Sequence, residues 1–426
     1  MSKDRASACL ALWLVLAAAA ARAEPLRAGF GTAPLPVQVG EPMGGYGGLG
    51  TRRAEGVLDP PEARALVLEG GGVRAGLVAL DVVIARPSLR ELVLAGTREL
   101  HLDWLAVVAT HTHSGPGGYL PGWVAARMTA GEFDPEMPAK IARAASDALA
   151  LASADLAPAR VASADVPLHL ARNRRFSDGA DETHLALLRA DFADGRSPLL
   201  LFAYGAHATL LPPSNHLLSA DWPGSARSAL GADGWRAVFV PGPLGDQKPA
   251  VDEALLSSAE QDREVMAEFG RRFAREVDAA ARALAPRAGD ARLAVLERWV
   301  ATPPPELRSF CSLWWLSPLV GSSLEAFVSK RVPFQALRVG GAELVTVPAE
   351  PTSAVGERLR ANLPAGLTPF VVAHANDWLG YVVDAPTYGR GGYESCLCFF
   401  GAASADWLTQ AAAETSRELD AEAGAP

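Results

Sequence analysis

The chain has 426 residues, of which 49 % are hydrophobic, and its formal net charge is −9. An acidic chain lacks the basic footprint that nucleic-acid binding requires, and this length can bury one large core or two closely packed ones. Beyond residue 23 the cysteines are Cys311, Cys396 and Cys398, too few for a disulfide framework but enough for one bridge.

The first 23 residues have the features of a secretory signal peptide. Lys3 and Arg5 precede an apolar run, and Ala21-Arg22-Ala23 forms a small-residue cleavage site. We therefore expect an exported protein, periplasmic or secreted, in which residues 24–426 form a single catalytic domain. No later apolar run is long enough to span a bilayer.

Hydrophobic periodicity predicts an α/β fold of mixed sheets flanked by helices. Strands are predicted at residues 26–31, 63–68, 75–80, 104–109, 198–204, 235–240, 342–347 and 369–373. Helices are predicted at residues 88–100, 138–151, 255–284, 356–363 and 404–421. A glycine-rich loop at 43–50 lacks the spacing of a phosphate-binding fingerprint, and we expect it to form a wall of a site instead.

Two histidines separated by one residue, His111 and His113, follow the strand predicted at 104–109. In extended backbone their side chains would point to the same face. Imidazole is the commonest zinc ligand in proteins, and the glycines that follow would let a substrate approach the backbone. The pair therefore indicates either a zinc site or two structural histidines.

Residues able to bind a metal or exchange a proton recur at the ends of predicted strands. Ligand sites in α/β sheets gather at the carboxyl ends of the strands, so we expect a shared site there. The residues concerned are Asp81, His111, His113, His207, Asp246, Glu350, Asn376 and Tyr381.

Residues 110–119, THTHSGPGGY, resemble the signature of the neutral (alkaline, non-lysosomal) ceramidases, zinc amidases that hydrolyse N-acylsphingosine. Further segments are similar to that family at 214–221 (SNHLLSAD), 348–360 (PAE followed by GERLR) and 376–394 (NDWLGY followed by GGYE). The likeness runs from about residue 26 to the closing helix. The C-terminal β-sandwich of full-length ceramidases is not expected here.

The resemblance implies a zinc ion with four protein ligands, His111, His207, Glu350 and Tyr381. It also implies that His113 lies near the bound water and that Arg174 contacts the substrate. Two nitrogen and two oxygen ligands leave room for a zinc-activated water that attacks an amide carbonyl. Zinc or the tyrosine would then stabilise the oxyanion.

Each of these residues also has a structural interpretation. His207 could be a hydrogen-bonded core histidine, and Tyr381 a half-buried core aromatic. Glu350 could begin a helix, where the dipole favours a carboxylate. Arg174 lies between other arginines and could belong to a solvated loop.

One segment departs from the ceramidase pattern. The family's GDxSPN segment carries an active-site serine, whereas residues 245–250 here read GDQKPA, with Lys248 at the serine position. We expect the Lys248 ammonium to project into the zinc cavity, take part in catalysis and favour either a substrate with a negative charge or an acid within the protein.

The resulting prediction is a zinc-dependent amidohydrolase that acts on the linear amide of an N-acylated lipid, ceramide or a related N-acyl compound. The alternatives are the same zinc site acting on a different amide or ester, and a non-catalytic lipid-binding homologue. An apolar stretch at 310–320 contains Trp314 and Trp315. It either packs in the core or lines an acyl-chain pocket and makes a peripheral contact with a membrane.

Overall fold

The computed structural model describes residues 25–47, 51–122, 131–286, 293–306 and 328–423. Its strands are β1 (Arg27–Pro34), β2 (Gly56–Val57), β3 (Glu62–Gly70), β4 (Val73–Leu80), β5 (Trp104–Ala109), β6 (Ala157–Pro167), β7 (Ala171–Asn173), β8 (His184–Phe192), β9 (Leu199–Tyr204), β10 (Leu217–Leu218), β11 (Arg236–Pro241), β12 (Gln247–Pro249), β13 (Leu293–Ala301), β14 (Arg331–Val339), β15 (Ala342–Thr346), β16 (Glu350–Pro351), β17 (Thr368–Val372) and β18 (Tyr381–Val382). Its helices are α1 (Pro87–Gly96), α2 (Met137–Ala154), α3 (Asp221–Ala232), α4 (Ala259–Ala283), α5 (Ser353–Ala361), α6 (Ala385–Arg390), α7 (Tyr393–Cys396) and α8 (Ser404–Ala423).

Two mixed sheets form the centre of the molecule. The larger has eight strands in the order β11-β9-β8-β6-β1-β3-β4-β5, with β4–β5 and β9–β11 parallel and the other neighbours antiparallel. The smaller has the order β13-β14-β15-β17, in which only β15 and β17 are parallel. The parallel pairs β4–β5, β9–β11 and β15–β17 matter for function, because β5, β9 and β17 lead into the residues described below.

Successive side chains of a strand point to opposite faces of the sheet, so the two faces of the large sheet pack in different cores. In β3, Ala65 and Val67 belong to the core that includes α2, whereas Leu66 and Leu68 belong to the core shared with the four-stranded sheet. The second core also contains Phe370 of β17. The two sheets therefore pack face to face through leucine-rich surfaces.

Helices cover the outer faces of both sheets. Helix α2 packs on β1 and β3, and α3 and α4 pack together beside β11. Helix α8 packs on β13 and β14. The result is a layered arrangement of helices, sheet, sheet and helices, which confirms the predicted mixed sheets flanked by helices.

Most predicted elements lie within a few residues of the observed ones, and β5 has the predicted bounds. Strands β6, β8, β13 and β14 were not predicted.

Within the described residues no helix is both long and apolar enough to cross a membrane. Cys396 is disulfide-bonded and Cys398 is a buried free thiol. The expected signal segment and the Trp314–Trp315 stretch lie outside the described residues.

Candidate metal centre

His111 lies two residues beyond β5, where the chain leaves the core. Its backbone is left-handed, with φ of 64°, and not extended as the sequence suggested. The ring nitrogen Nδ1 donates to the carbonyl oxygen of Val83 across 2.7 Å. A carbonyl can only accept, so the proton is on Nδ1 and Nε2 keeps a free lone pair. This hydrogen bond fixes the tautomer and aims Nε2 inward.

His207 lies three residues beyond β9 and is fully buried. Its Nδ1 donates to the carbonyl oxygen of Gln247 across 2.9 Å, so its Nε2 also keeps a free lone pair. Burial is the largest cause that lowers the pKa of His207 well below its ordinary value, and the positive charge of Arg174 is the second. The ring is therefore neutral, which is the form that binds a metal.

Glu350 brings a carboxylate to the two imidazoles. It forms the short strand β16, which pairs in parallel with β18 and sets Glu350 opposite Tyr381. The indole Nε1 of Trp378 donates to Glu350 Oε2 across 3.1 Å. Glu350 Oε1 lies 2.8 Å from His207 Nε2 and 3.6 Å from His111 Nε2.

The meeting of these atoms fits a bound cation. His207 Nε2 and Glu350 Oε1 are buried and have no hydrogen-bond partner. Both carry lone pairs, so their approach to 2.8 Å is unfavourable unless a cation or proton lies near both. Imidazole nitrogen and carboxylate oxygen are common zinc ligands. The Nδ1 hydrogen bonds of His111 and His207 to the carbonyls of Val83 and Gln247 are of the kind that orient metal-binding histidines.

His113 contacts the same cluster in a different way. Its Nδ1 accepts the backbone N–H of Tyr46 across 3.3 Å, which leaves the proton on Nε2. That Nε2 lies 3.2 Å from His111 Nε2. Burial, and next the neighbouring imidazoles of His111 and His207, lower the pKa of His113 well below the ordinary value. His113 therefore offers a donor to the cluster and not a lone pair.

The predicted glycine-rich wall explains how the chain approaches His113 so closely. At Gly45 the φ is +76°, and an added Cβ would lie 2.5 Å from the Cα of His113. Only glycine accommodates both conditions. Gly45, Tyr46 and Gly47 line the cavity beside the cluster, so the described part of this loop is the wall that the sequence predicted.

Arg174 and Tyr381 lie together at the mouth of the cluster. Arg174 Nη2 donates to the Tyr381 hydroxyl across 3.0 Å, and Arg174 Nε donates to Glu394 across 3.1 Å. Burial, and next the carboxylate of Glu350, raise the pKa of the Tyr381 phenol well above its ordinary value. A second nearby cation, in addition to Arg174, would be needed to lower this pKa enough for the phenolate to form.

A cavity of about 700 Å³ opens beside these residues. His111, His113 and Glu350 form its metal-competent side. The remaining wall combines apolar and polar groups, contributed by Val83, Ile84, Pro212, Pro213, Leu397, Trp378, Tyr393, Arg174, Arg175 and Tyr381. A mostly apolar pocket with a few convergent polar groups is typical of a small-molecule site.

Sequence reasoning missed His374, which follows β17 by two residues as His111 follows β5. Its ring stacks on that of His111, with centroids 4.1 Å apart. Its Nε2 lies 3.8 Å from Glu350 Oε2. His111, Glu350 and His374 together could hold a metal ion. The strand-end pattern was the signal that could have found it.

The chain is similar to known proteins in sequence and in fold. Residues 29–234 match the family model described as neutral/alkaline non-lysosomal ceramidase, N-terminal. The neutral ceramidase of Mycobacterium tuberculosis (strain ATCC 25618 / H37Rv) is 26 % identical over 479 residues, covering 88 % of this chain and 74 % of that protein. The crystal structure of neutral ceramidase from Pseudomonas aeruginosa has a TM-score of 0.78 at 22 % identity, covering 93 % of this chain and 75 % of that one. A structure of ceramidase complexed with C2 has a TM-score of 0.77 at 21 % identity, covering 93 % and 76 %.

Over residues 29–234 the chain is thus similar to the neutral/alkaline non-lysosomal ceramidase family, and its fold matches that of neutral ceramidase. All six residues that the ceramidase resemblance implied meet at one place, namely His111, His113, Arg174, His207, Glu350 and Tyr381.

The prediction for the ceramidase serine position is wrong. Lys248 does not line the cavity, and its ammonium pairs with Glu253 on the outside. Strand β12 sets Lys248 opposite Arg172 of β7, and neighbouring residues of a strand face opposite ways. Gln247 is therefore buried, whereas Lys248 points toward solvent.

Three further strand-end residues serve the fold and do not line the cavity. Asp81 accepts two hydrogen bonds from Arg227, at 2.9 and 2.6 Å. Asp246 accepts from the backbone of Ser353 across 2.8 Å. Asn376 accepts from the backbone N–H of Val107 across 2.9 Å and so ties the β17 segment to β5. The expectation that they share the metal-competent edge is therefore wrong.

Proposed function

We propose that this chain is a zinc-dependent hydrolase that cleaves the amide bond of an N-acylated lipid, ceramide or a related N-acyl compound. One observation carries the proposal. Two buried atoms without hydrogen-bond partners, His207 Nε2 and Glu350 Oε1, converge with the lone pair of His111 Nε2 beside a cavity of about 700 Å³. The similarity to neutral ceramidases makes ceramide the first substrate to test.

The ion would be held by His111, His207 and Glu350, with Tyr381 beside them. Zinc bound there would supply a Lewis acid, which polarises a carbonyl oxygen and lowers the pKa of water. Every ligand atom belongs to a residue that backbone hydrogen bonds or strand pairing already hold in place. The site is thus organised before any ligand arrives.

His113 orients the attacking water in this proposal. Its Nδ1 is engaged by the Tyr46 backbone, so its Nε2–H faces the space beside His111. A donor in that position can hydrogen-bond one water oxygen and fix the direction of its remaining lone pair. The low pKa of the ring keeps the imidazole neutral while it does so.

Arg174 and Tyr381 stabilise the charge that develops on the amide oxygen. The guanidinium is held by Glu394 and by the phenol oxygen, so its position does not depend on substrate. A preorganised donor facing the reacting carbonyl is worth several kcal/mol in known sites, about 2.7–4 for one oxyanion donor. Arg174 therefore acts through position as well as charge.

The charged side chains that line the cavity balance one another. Arg175 donates through Nε and Nη2 to Glu394 at 2.7 and 2.9 Å, and Arg174 shares the same carboxylate. With Glu350 included, two guanidinium groups face two carboxylates. Since Lys248 lies outside the cavity, the described residues that line it offer no unmatched side-chain cation to recognise an acidic head group.

We also propose that the protein is exported. The N-terminal segment supports this, because residues 1–23 combine a basic start, an apolar run and a small-residue cleavage site. The disulfide at Cys396 supports it as well, since such bonds persist in oxidising compartments. Fractionation of cells that express the full chain tests it, and recovery in the cytosol with residues 1–23 retained would contradict it.

The enzymatic proposal is tested with purified protein on matched ceramide, N-acyl amino acid and fatty-acid ester substrates. We expect amide hydrolysis that a chelator abolishes and zinc restores. His207→Ala should be inactive, whereas His216→Ala should behave as wild type because His216 pairs with Glu55 away from the cluster. Hydrolysis that survives the chelator would refute the metal mechanism.

Two other results would point to the alternatives. Preferential cleavage of the ester would assign the same site to a different bond. Lipid binding without any turnover, in protein that carries zinc, would identify a non-catalytic homologue.

A further inference from the structure

His374 is an unusual histidine for a protein core. It is fully buried, and neither of its ring nitrogens has a hydrogen-bond partner. The histidines beside it differ, since His111 and His207 each donate through Nδ1 to a backbone carbonyl. A structural histidine in a core normally has such a partner, because an unpaired buried polar group costs about 1–3 kcal/mol.

The backbone at His374 is also costly. Its φ of 54° lies in the left-handed region, which costs a residue with a side chain on the order of 1–3 kcal/mol. The segment is held there by two backbone hydrogen bonds. Ala109 N–H donates to His374 O across 3.1 Å, and His374 N–H donates to Ala349 O across 3.2 Å.

These two bonds attach His374 to the strand that precedes His111 and to the residue before Glu350. The side chain accordingly lies between the two ligand-bearing segments. Its ring stacks on His111 with an interplanar angle of 29°, and its Nε2 lies 3.8 Å from Glu350 Oε2. Stacking alone does not explain an imidazole, because a phenyl ring would stack without leaving two nitrogens unsatisfied.

We propose that His374 is an additional ligand of the metal ion at this centre, binding beside His111 and Glu350. The inference rests on the proposed metal site and adds a residue to it. A bound ion would satisfy one of the two orphaned nitrogens, and it would offset part of the cost of the backbone conformation. The centre then offers imidazoles from His111, His207 and His374 together with the Glu350 carboxylate.

This ligand set has consequences for the choice of metal. Three imidazoles favour zinc and the later first-row metals over magnesium and calcium, which prefer oxygen ligands. Four protein donors fill the tetrahedral positions of zinc, so an ion that also accepts water would be five-coordinate. Cobalt(II) reports this directly, because its visible absorption weakens as its coordination number rises from four to five.

The test uses the full chain without its N-terminal segment, loaded with zinc or cobalt(II). His374→Phe keeps a stacking ring but removes the ligand, and His216→Phe makes the same change away from the cluster. We expect His374→Phe to weaken zinc binding at least tenfold in competition with a chelator, since even residues that only support ligands commonly contribute ~10–100-fold. Its cobalt spectrum should change in intensity and band position, whereas that of His216→Phe should match wild type.

A second variant guards against misfolding. If circular dichroism shows that His374→Phe is not folded, His374→Gln supplies a smaller polar replacement with the same expected loss. Folded His374→Phe or His374→Gln with wild-type zinc affinity and cobalt spectrum would overturn this inference while leaving the metal site intact. A wild-type protein that binds neither zinc nor cobalt would overturn both this inference and the proposed function.

Discussion

Replacing Glu350 with glutamine should stabilise the metal-free protein and remove its response to zinc. In the wild type, Glu350 Oε1 and His207 Nε2 face each other at 2.8 Å, and neither atom has a hydrogen-bond partner. A glutamine amide at that position would donate to His207 Nε2. Its carbonyl oxygen would still accept from Trp378 Nε1, which lies 3.1 Å from the present Oε2.

The size of the effect follows from these contacts. Satisfying a buried orphan acceptor and neutralising its buried charge is worth about 1–3 kcal/mol in the metal-free protein. The zinc response works in the opposite direction. At a free zinc concentration one hundred times Kd, wild type gains about 2.7 kcal/mol of unfolding free energy, and the variant gains close to none. The order of stability therefore reverses between chelator and zinc.

Urea unfolding of both proteins, in chelator and in zinc, measures this reversal. Glu343→Gln is the matched control, because Glu343 is an equally buried carboxylate that pairs with Arg338 and Ser416. Loss of that charge should destabilise the protein by about 1–3 kcal/mol in both conditions. If Glu350→Gln destabilises the metal-free protein as Glu343→Gln does, Glu350 is a satisfied structural carboxylate and the reasoning is refuted.

Three further results are expected. Lys248→Ser should leave the ratio of kcat/KM for neutral and anionic N-acyl substrates unchanged, because the ammonium lies outside the cavity; a shifted ratio would contradict this placement. Arg227→Leu should lower the unfolding free energy by about 3–5 kcal/mol in urea titrations, since it leaves Asp81 buried and unpaired; a cost below 1 kcal/mol would argue against the ion pair. His184 has its pKa raised above 6.5, first by the hydrogen bond to Asp165. Its contribution is complete below pH 6.5 and is lost as pH rises through the raised value, so His184→Gln should flatten the fall in stability above that pH.

Sequence analysis predicted the strands that are continuous apolar runs, because such runs favour strand structure by themselves. β5 and β9 are buried on both faces and read as continuous apolar runs. β6 reads APARVASADVP, with alanine, serine and aspartate that have low strand propensity, and only pairing with β8 makes it a strand. β14 contains Pro333, which argues against an interior strand when the partner strands are unknown.

Sequence analysis could predict which residues form the candidate site, but not the direction in which each side chain points. Delivery of His111, His207 and Glu350 by strand ends could be inferred from spacing and resemblance. Lys248 failed because the face of a three-residue strand depends on its register with β7, which sequence does not reveal. His374 was missed because its significance lies in an unpaired ring against His111, a contact between segments more than 250 positions apart.

Three residues of this centre have strained backbone conformations that the surrounding hydrogen bonds must hold. Tyr46, His111 and His374 have φ values of 32°, 64° and 54°, and they belong to one series of ring contacts that runs through His113. Non-glycine residues avoid this region, so each must be held by its surroundings. The holding bonds come from the backbone, including Val82 O to His111 N–H at 3.1 Å. Because these bonds fix the backbone, they also fix the directions in which the three rings leave it.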